Sequence, residues 1–196
     1  MVTGDESGGS PDPGAFAESS STSNGRIAAF GAASAVLFGV GLLVSESVGE
    51  VALDVDLKPF FLPYLLIVVA RYGLPTLSIG LGAATAEGFL DVFEGYELDD
   101  PVGFLGYVIG FTVFGWYLDK VAADPASARS LTVGAVLGAL VQASFEGAAF
   151  FLFDPAVGLS EPAVSVVGNT VTHGLLLGAV PLVALRRAFA DRLGSA

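Results

Sequence analysis

Residues 131–153 read LTVGAVLGALVQASFEGAAFFLF, an unbroken apolar run with a single ionisable side chain, Glu146. A helix needs roughly 20 mostly apolar residues to cross a bilayer, and this run is long enough. Five more apolar runs accompany it: Ile27–Val44, Pro59–Ala70, Leu74–Phe93, Val102–Val121 and Ala163–Ala188. The spacing predicts an all-α integral membrane protein, a compact bundle of six transmembrane helices filling residues 26–192. The second run is short and relies on Lys58 and Arg71 reaching towards the interfaces. Composition agrees: 53% of the chain is hydrophobic and 14% charged, against about 25% charged in a typical soluble domain, and the mean hydropathy is +0.72.

Lys and Arg between the runs set the orientation, since cytoplasmic loops collect them. Arg26, Arg71, Lys120, Arg129, Arg186, Arg187 and Arg192 share one side of a six-span chain, and Lys58 stands on the other. Both termini are therefore expected in the cytoplasm, in a multi-pass protein of the cell membrane. The outer connections carry acids: Glu46, Glu50, Asp54 and Asp56, then Glu94, Glu97, Asp99 and Asp100, then Asp154 and Glu161.

The net charge of −12 disfavours nucleic acid as a partner. Dense carboxylates with scarce lysine suggest a halophilic source. There is no cysteine, hence no disulfide, thiol nucleophile or thiolate metal ligand. No phosphate-binding GxxxxGK[ST] loop occurs. Residues 1–25, rich in Gly, Ser, Pro and acids, bury too little apolar surface to order and are expected to form a disordered tail. The acidic start argues against a signal peptide, so the first run is kept as a helix.

The first run carries small residues at four-residue spacing, Gly31, Ala35 and Gly39. Such stripes let helices approach closely in lipid. This one serves either packing within the chain or docking on a separate subunit. A weak repeat pairs Ala-Glu-Gly at 86–88 with Phe-Glu-Gly at 145–147, each followed by an acidic loop.

Ionisable groups inside a span are expensive and mark candidate sites. Three spans carry polar pairs at i, i+4 on one helix face: Glu87 and Asp91, Gln142 and Glu146, Asn169 and His173. The fourth adds Tyr107. At about 1.5 Å per residue, these groups gather in the outer half of the bundle, above apolar inner halves. That asymmetry suits a pocket open to the outside and closed below. Each member also has a structural reading: Asp91 as an interfacial residue, Glu87 and Glu146 as protonated packing acids, Asn169 and Gln142 as interhelical glue, and His173 as a packed histidine. The convergence of the set carries the expectation of a binding site.

The organisation resembles the substrate-binding S component of energy-coupling-factor vitamin transporters. The resemblance rests on six helices between Arg26 and Arg192 and a small-residue first helix. It also rests on Pro-Val-Gly-Phe-Leu-Gly-Tyr-Val-Ile-Gly-Phe at 101–111 after an acidic loop, and on Asn-Thr-Val-Thr-His at 169–173 leading to Ala-Val-Pro-Leu-Val at 179–183 and Arg186-Arg187. It implies a small-molecule substrate, a vitamin or precursor, bound by Tyr107, Gln142, Glu146, Asn169 and His173, with Glu87 as a further contact. It also implies a membrane coupling subunit docked on Gly31, Ala35 and Gly39, separate ATPases, no cofactor and no enzymatic activity. No residue set matches a substrate signature. The alternative is a self-contained proton- or cation-coupled carrier using Glu87, Glu146 and His173. An intramembrane enzyme fits least: His173 is the only histidine and no HExxH occurs.

Overall fold

A computed structural model describes residues 24–47, 57–70, 72–95, 100–153 and 158–194. Of the expected tail, residues 1–23 lie outside the described residues, as do Arg71 and the acids Glu50, Asp54, Asp56, Glu97, Asp99 and Asp154. The described residues form helices and no strand: α1 (Asn24–Glu46), α2 (Phe61–Ala70), α3 (Leu74–Glu94), α4 (Asp100–Lys120), α5 (Ala128–Phe153), α6 (Ser160–Asn169), a π-helical segment (Thr170–Ala179) and α7 (Val180–Gly194).

Four helices are long and apolar enough to cross a membrane: Asn24–Ser45, Asp100–Lys120, Ala128–Phe153 and the continuous Ser160–Phe189. Large apolar side chains face outwards, among them Val36, Val40, Val44 and Trp116. Exposed apolar surface on this scale marks contact with another apolar phase. The other two helices depart from a simple span. The ten residues of α2 reach about 15 Å, half the hydrocarbon thickness of about 30 Å. Helix α3 has the length, but its last turns hold Glu87, Asp91 and Glu94.

Helix ends follow local chemistry. Tyr72 (φ 51°) and Gly73 (φ 79°) turn the chain between α2 and α3, and Pro75 stands in the first turn of α3, where its missing N–H costs nothing. Gly95, at φ 126°, ends that helix. Helix α4 starts on Asp100 and ends on Lys120, charges that suit its dipole.

The long helices pack in sequence: α1 on α3, α3 on α4, α4 on α5, and α5 on the last span. Glycines set the separations. A Cβ on Gly82 would overlap the Gly31 carbonyl oxygen, and one on Gly110 would lie 2.6 Å from the Gly138 carbonyl oxygen. The α1–α3 contact is also hydrogen-bonded, Ser34 Oγ to the Ile79 carbonyl and Ser78 Oγ to the Ile27 carbonyl, both 2.8 Å. Short α2 sits among the others, touching α1, α3, α4 and the last span. Tyr64 from α2 donates to the Ala135 carbonyl of α5 at 2.9 Å.

An aromatic layer fills the centre. Phe60 lies 5.0 Å from Phe111 and 6.0 Å from Phe38 between ring centroids, and Tyr64 lies 4.2 Å from Phe114. Phe38, Phe60, Tyr64, Tyr107, Phe111 and Phe114 are all essentially inaccessible.

The last span was expected as a regular helix over 163–188. It instead widens at Thr170–Ala179 into i→i+5 turns, a geometry that concentrates at functional positions. Two features accommodate it. A Cβ on Gly178 would overlap the His173 carbonyl oxygen, so the wide turn closes only over glycine. Pro181 follows at the start of α7, and proline offers no N–H to a regular ladder. Gly178→Ala is therefore expected to cost at least about 1–3 kcal/mol, the range for overpacking. Thermal unfolding of the purified variant checks this, and an unchanged midpoint would mean the turn relaxes to a regular helix at no cost.

Candidate functional site

Members of all three polar pairs converge on one cavity. Helix α3 supplies Glu87 and Asp91, α4 supplies Tyr107, α5 supplies Glu146, and α6 supplies Asn169. Together with Lys58, three residues before α2, they line a cavity of about 230 Å³. Glycine permits this approach of α4 to α5, since a Cβ on Gly106 would meet the Phe145 Cβ at 2.9 Å and the Gln142 carbonyl at 3.0 Å.

Lys58 is the centre of the arrangement. Its Nζ lies 2.7 Å from Glu87 Oε1 and 3.8 Å from Glu146 Oε1, and 5.6 Å from the centroid of the Tyr107 ring. The three charged side chains are only 13%, 14% and 19% exposed. Tyr107 donates its hydroxyl to Glu87 Oε1 at 3.0 Å. Glu146 is held by two amides, one from its own helix and one from α6: Gln142 Nε2 donates to Oε1, and Asn169 Nδ2 donates to Oε2 at 3.2 Å while also reaching Ser165 Oγ at 3.4 Å. Ordinary surface pairs contribute little, but these groups are mostly withdrawn from solvent, so breaking one partner away would leave an uncompensated charge.

The amides show how the site is polarised. A carboxylate only accepts, so both amides must present their NH₂ groups to Glu146. Their carbonyl oxygens are thereby turned away. Gln142 Oε1 and Asn169 Oδ1 are buried with no hydrogen-bond partner among the described residues. Flipping either amide would set oxygen against carboxylate oxygen, so the orientation follows from the charge. An unsatisfied buried acceptor costs about 1–3 kcal/mol, so holding both NH₂ groups on Glu146 is offset by two orphaned oxygens.

Of the six expected contacts, Glu87, Tyr107, Glu146 and Asn169 line the cavity. Gln142 and His173 do not. They are 1% and 0% exposed; Gln142 lies one helical turn before Glu146 on α5 and His173 one turn after Asn169 on the last span, beneath the cavity. There Gln142 supports Glu146, and His173 stacks on Phe60 at 4.7 Å and 25°. Asp91, weighed as interfacial, lines the cavity, as does Asp100. Sequence reasoning assigned Lys58 to the interface and missed its part in the site. The signal was present: it is one of two lysines in the chain and the only basic residue on the side expected to face outwards.

The small-residue stripe of α1 is turned inwards. A Cβ on Gly31 would lie 2.5 Å from Ser78 Oγ and 3.0 Å from its carbonyl oxygen, and one on Gly39 would lie 3.4 Å from the Ala86 Cβ; a Cβ on Gly82 would meet the Ala35 nitrogen at 3.1 Å. Of the two readings of Gly31, Ala35 and Gly39, the geometry is that of packing against the chain's own α3.

No three His, Cys, Asp or Glu side chains among the described residues are grouped as a metal shell. The arrangement is suited to non-covalent recognition: charge, hydrogen-bond acceptors and an aromatic face in a partly closed cavity. No family model, curated protein or solved structure matches the chain.

Proposed function

We propose that this chain is the substrate-binding membrane subunit of an uptake transporter, similar in organisation to the S components of energy-coupling-factor vitamin transporters. It spans the cell membrane six times with both termini in the cytoplasm. It holds a small polar nutrient in the cavity at the outer end, and separate coupling and ATPase subunits supply the work. The observation that carries this reading is the polar cavity set directly above the aromatic layer of Phe38, Phe60, Phe111 and Phe114. Such a site is accessible from one end and sealed towards the other.

A self-contained carrier is the second reading. The observation favouring it is the Glu87–Lys58–Glu146 network, since ion pairs inside a bundle can exchange partners with a transported cation. The two readings separate on accumulation. A carrier concentrates solute when this chain is expressed alone, whereas a binding subunit retains solute only to the level of its own sites.

The absence of cysteine allows a direct test of access. Gly103 lines the cavity, and a Cβ there meets nothing within 4 Å. The Gly103→Cys variant is expected to react with a membrane-impermeant thiol reagent added to intact cells, and the Arg129→Cys variant only after the cells are opened. The reverse pattern would overturn both the orientation and the uptake reading.

A further inference from the structure

The cavity already contains a cation of its own. The Lys58 ammonium stands between two carboxylates and above the Tyr107 ring, the surroundings an external ammonium or guanidinium would need. Lys58 also stands in the short segment before α2 rather than within a helix, so its flexible stem can withdraw without moving a span.

Three further observations fix the ligand's chemistry. The cavity lining holds one positive charge, Lys58, and four carboxylates, Glu87, Asp91, Asp100 and Glu146. An anion would have to enter against that excess. Tyr107 spends its hydroxyl hydrogen on Glu87, and Asn169 spends its NH₂ on Glu146 and Ser165, so both have only acceptor capacity left. Finally, Asn169 is 3% exposed, and its Oδ1 has no hydrogen-bond partner among the described residues. That oxygen is itself buried, so the acceptors the cavity offers are the carboxylates and the Tyr107 hydroxyl oxygen.

We propose that the ligand is an organic cation carrying N–H groups, an ammonium, amidinium or guanidinium head, and that this head takes the place held by the Lys58 side chain between Glu87 and Glu146. Lys58 is then a tethered stand-in that keeps both carboxylates neutralised while the cavity is empty. A quaternary ammonium brings charge but no hydrogen, and cannot replace the N–H donation that Lys58 makes to Glu87 at 2.7 Å. The inference rests on the cavity being a ligand site, as proposed above, and adds its chemical class.

The chain's two lysines make the exchange measurable. Lys58 is held in the ion pairs, while Lys120 is 65% exposed and serves as an internal reference. The purified full-length protein is treated with an acetylating N-hydroxysuccinimide ester, and acetylation of each lysine is followed by mass spectrometry. Methylguanidinium is expected to raise the Lys58 rate several-fold relative to Lys120. Tetramethylammonium at the same concentration and ionic strength is expected to leave the ratio unchanged. An unchanged ratio with methylguanidinium would overturn the inference, as would an equal rise with tetramethylammonium or a parallel rise at both lysines. Alkylation of the Gly103→Cys variant is measured beside it. If methylguanidinium slows that alkylation while Lys58 stays slow, the cavity is a ligand site and only the displacement of Lys58 fails. If the Gly103→Cys variant cannot be labelled from outside, the uptake reading itself fails.

Discussion

Lys58→Met is expected to destabilise the protein by about 3–5 kcal/mol, the range for removing one partner of a buried ion pair. The methionine keeps most of the apolar stem and removes the charge. Glu87 and Glu146 then share one cavity with no cation between them, although Lys58 at present lies 2.7 Å from one and 3.8 Å from the other. Their residual exposure of 14% and 19% lets water offset part of the loss, which places the effect towards the lower end. Adding Glu87→Gln to Lys58→Met removes one of the two stranded charges and is expected to recover stability, whereas Glu87→Gln alone should cost less than Lys58→Met. Melting temperatures of the two single variants and the double variant, in one detergent and at one salt concentration, form the cycle. Additive effects would mean that Lys58 and Glu87 do not interact.

Gly82→Ala is expected to be comparably damaging for a different reason. The added methyl falls on the backbone of α1, overlapping the Gly31 carbonyl oxygen with the Ala35 nitrogen close by. No side chain can rotate away to make room, so α1 must move off α3. That separation would also break the hydrogen bonds from Ser34 to Ile79 and from Ser78 to Ile27. Overpacking commonly costs about 1–3 kcal/mol, and loss of two hydrogen bonds at about 0.5–1.5 kcal/mol each adds to it. Gly88→Ala, two turns further along the same helix, is the control. Its Cβ would sit 3.8 Å from the Phe104 ring, an ordinary contact, and the melting temperature should hardly move. Equal effects of the two substitutions would show that the close crossing does not govern stability.

Apolar length and polar spacing made much of this architecture legible. The run at 131–153 is the body of α5, and at least one member of each expected i, i+4 pair reaches the common cavity: Glu87 and Asp91, Glu146, and Asn169. Periodicity carries less about depth. Gln142 and Glu146 share a face, yet one turn separates a buried support from a cavity wall. The inward turn of Gly31 and Gly39 was equally hidden, because a small-residue stripe fits a neighbour within the chain as well as a partner outside it. Lys58 was underestimated because it lies outside the apolar runs, where a lysine ordinarily reaches for water or headgroups. What distinguishes it is the folding of two distant carboxylates onto it. The π-helical stretch had only faint markers, Gly178 and Pro181, each of which occurs in regular membrane helices too.

The short central helix has a consequence for how the protein is made. At about 15 Å, α2 cannot cover the hydrocarbon on its own, and a run of 10–14 apolar residues more commonly ends as a buried helix than as an independent span. Its buried face, Pro63, Tyr64 and Ile67, is completed by partners synthesised much later: Phe111 and Phe114 of α4, Ala135 of α5 and the stretch beyond His173. On the reading of this chain as a membrane bundle, α2 therefore lacks its packing partners when it leaves the ribosome. Its docking is expected to follow that of the longer helices. Because Lys58 adjoins it, docking of α2 would also bring the ammonium to its two carboxylates.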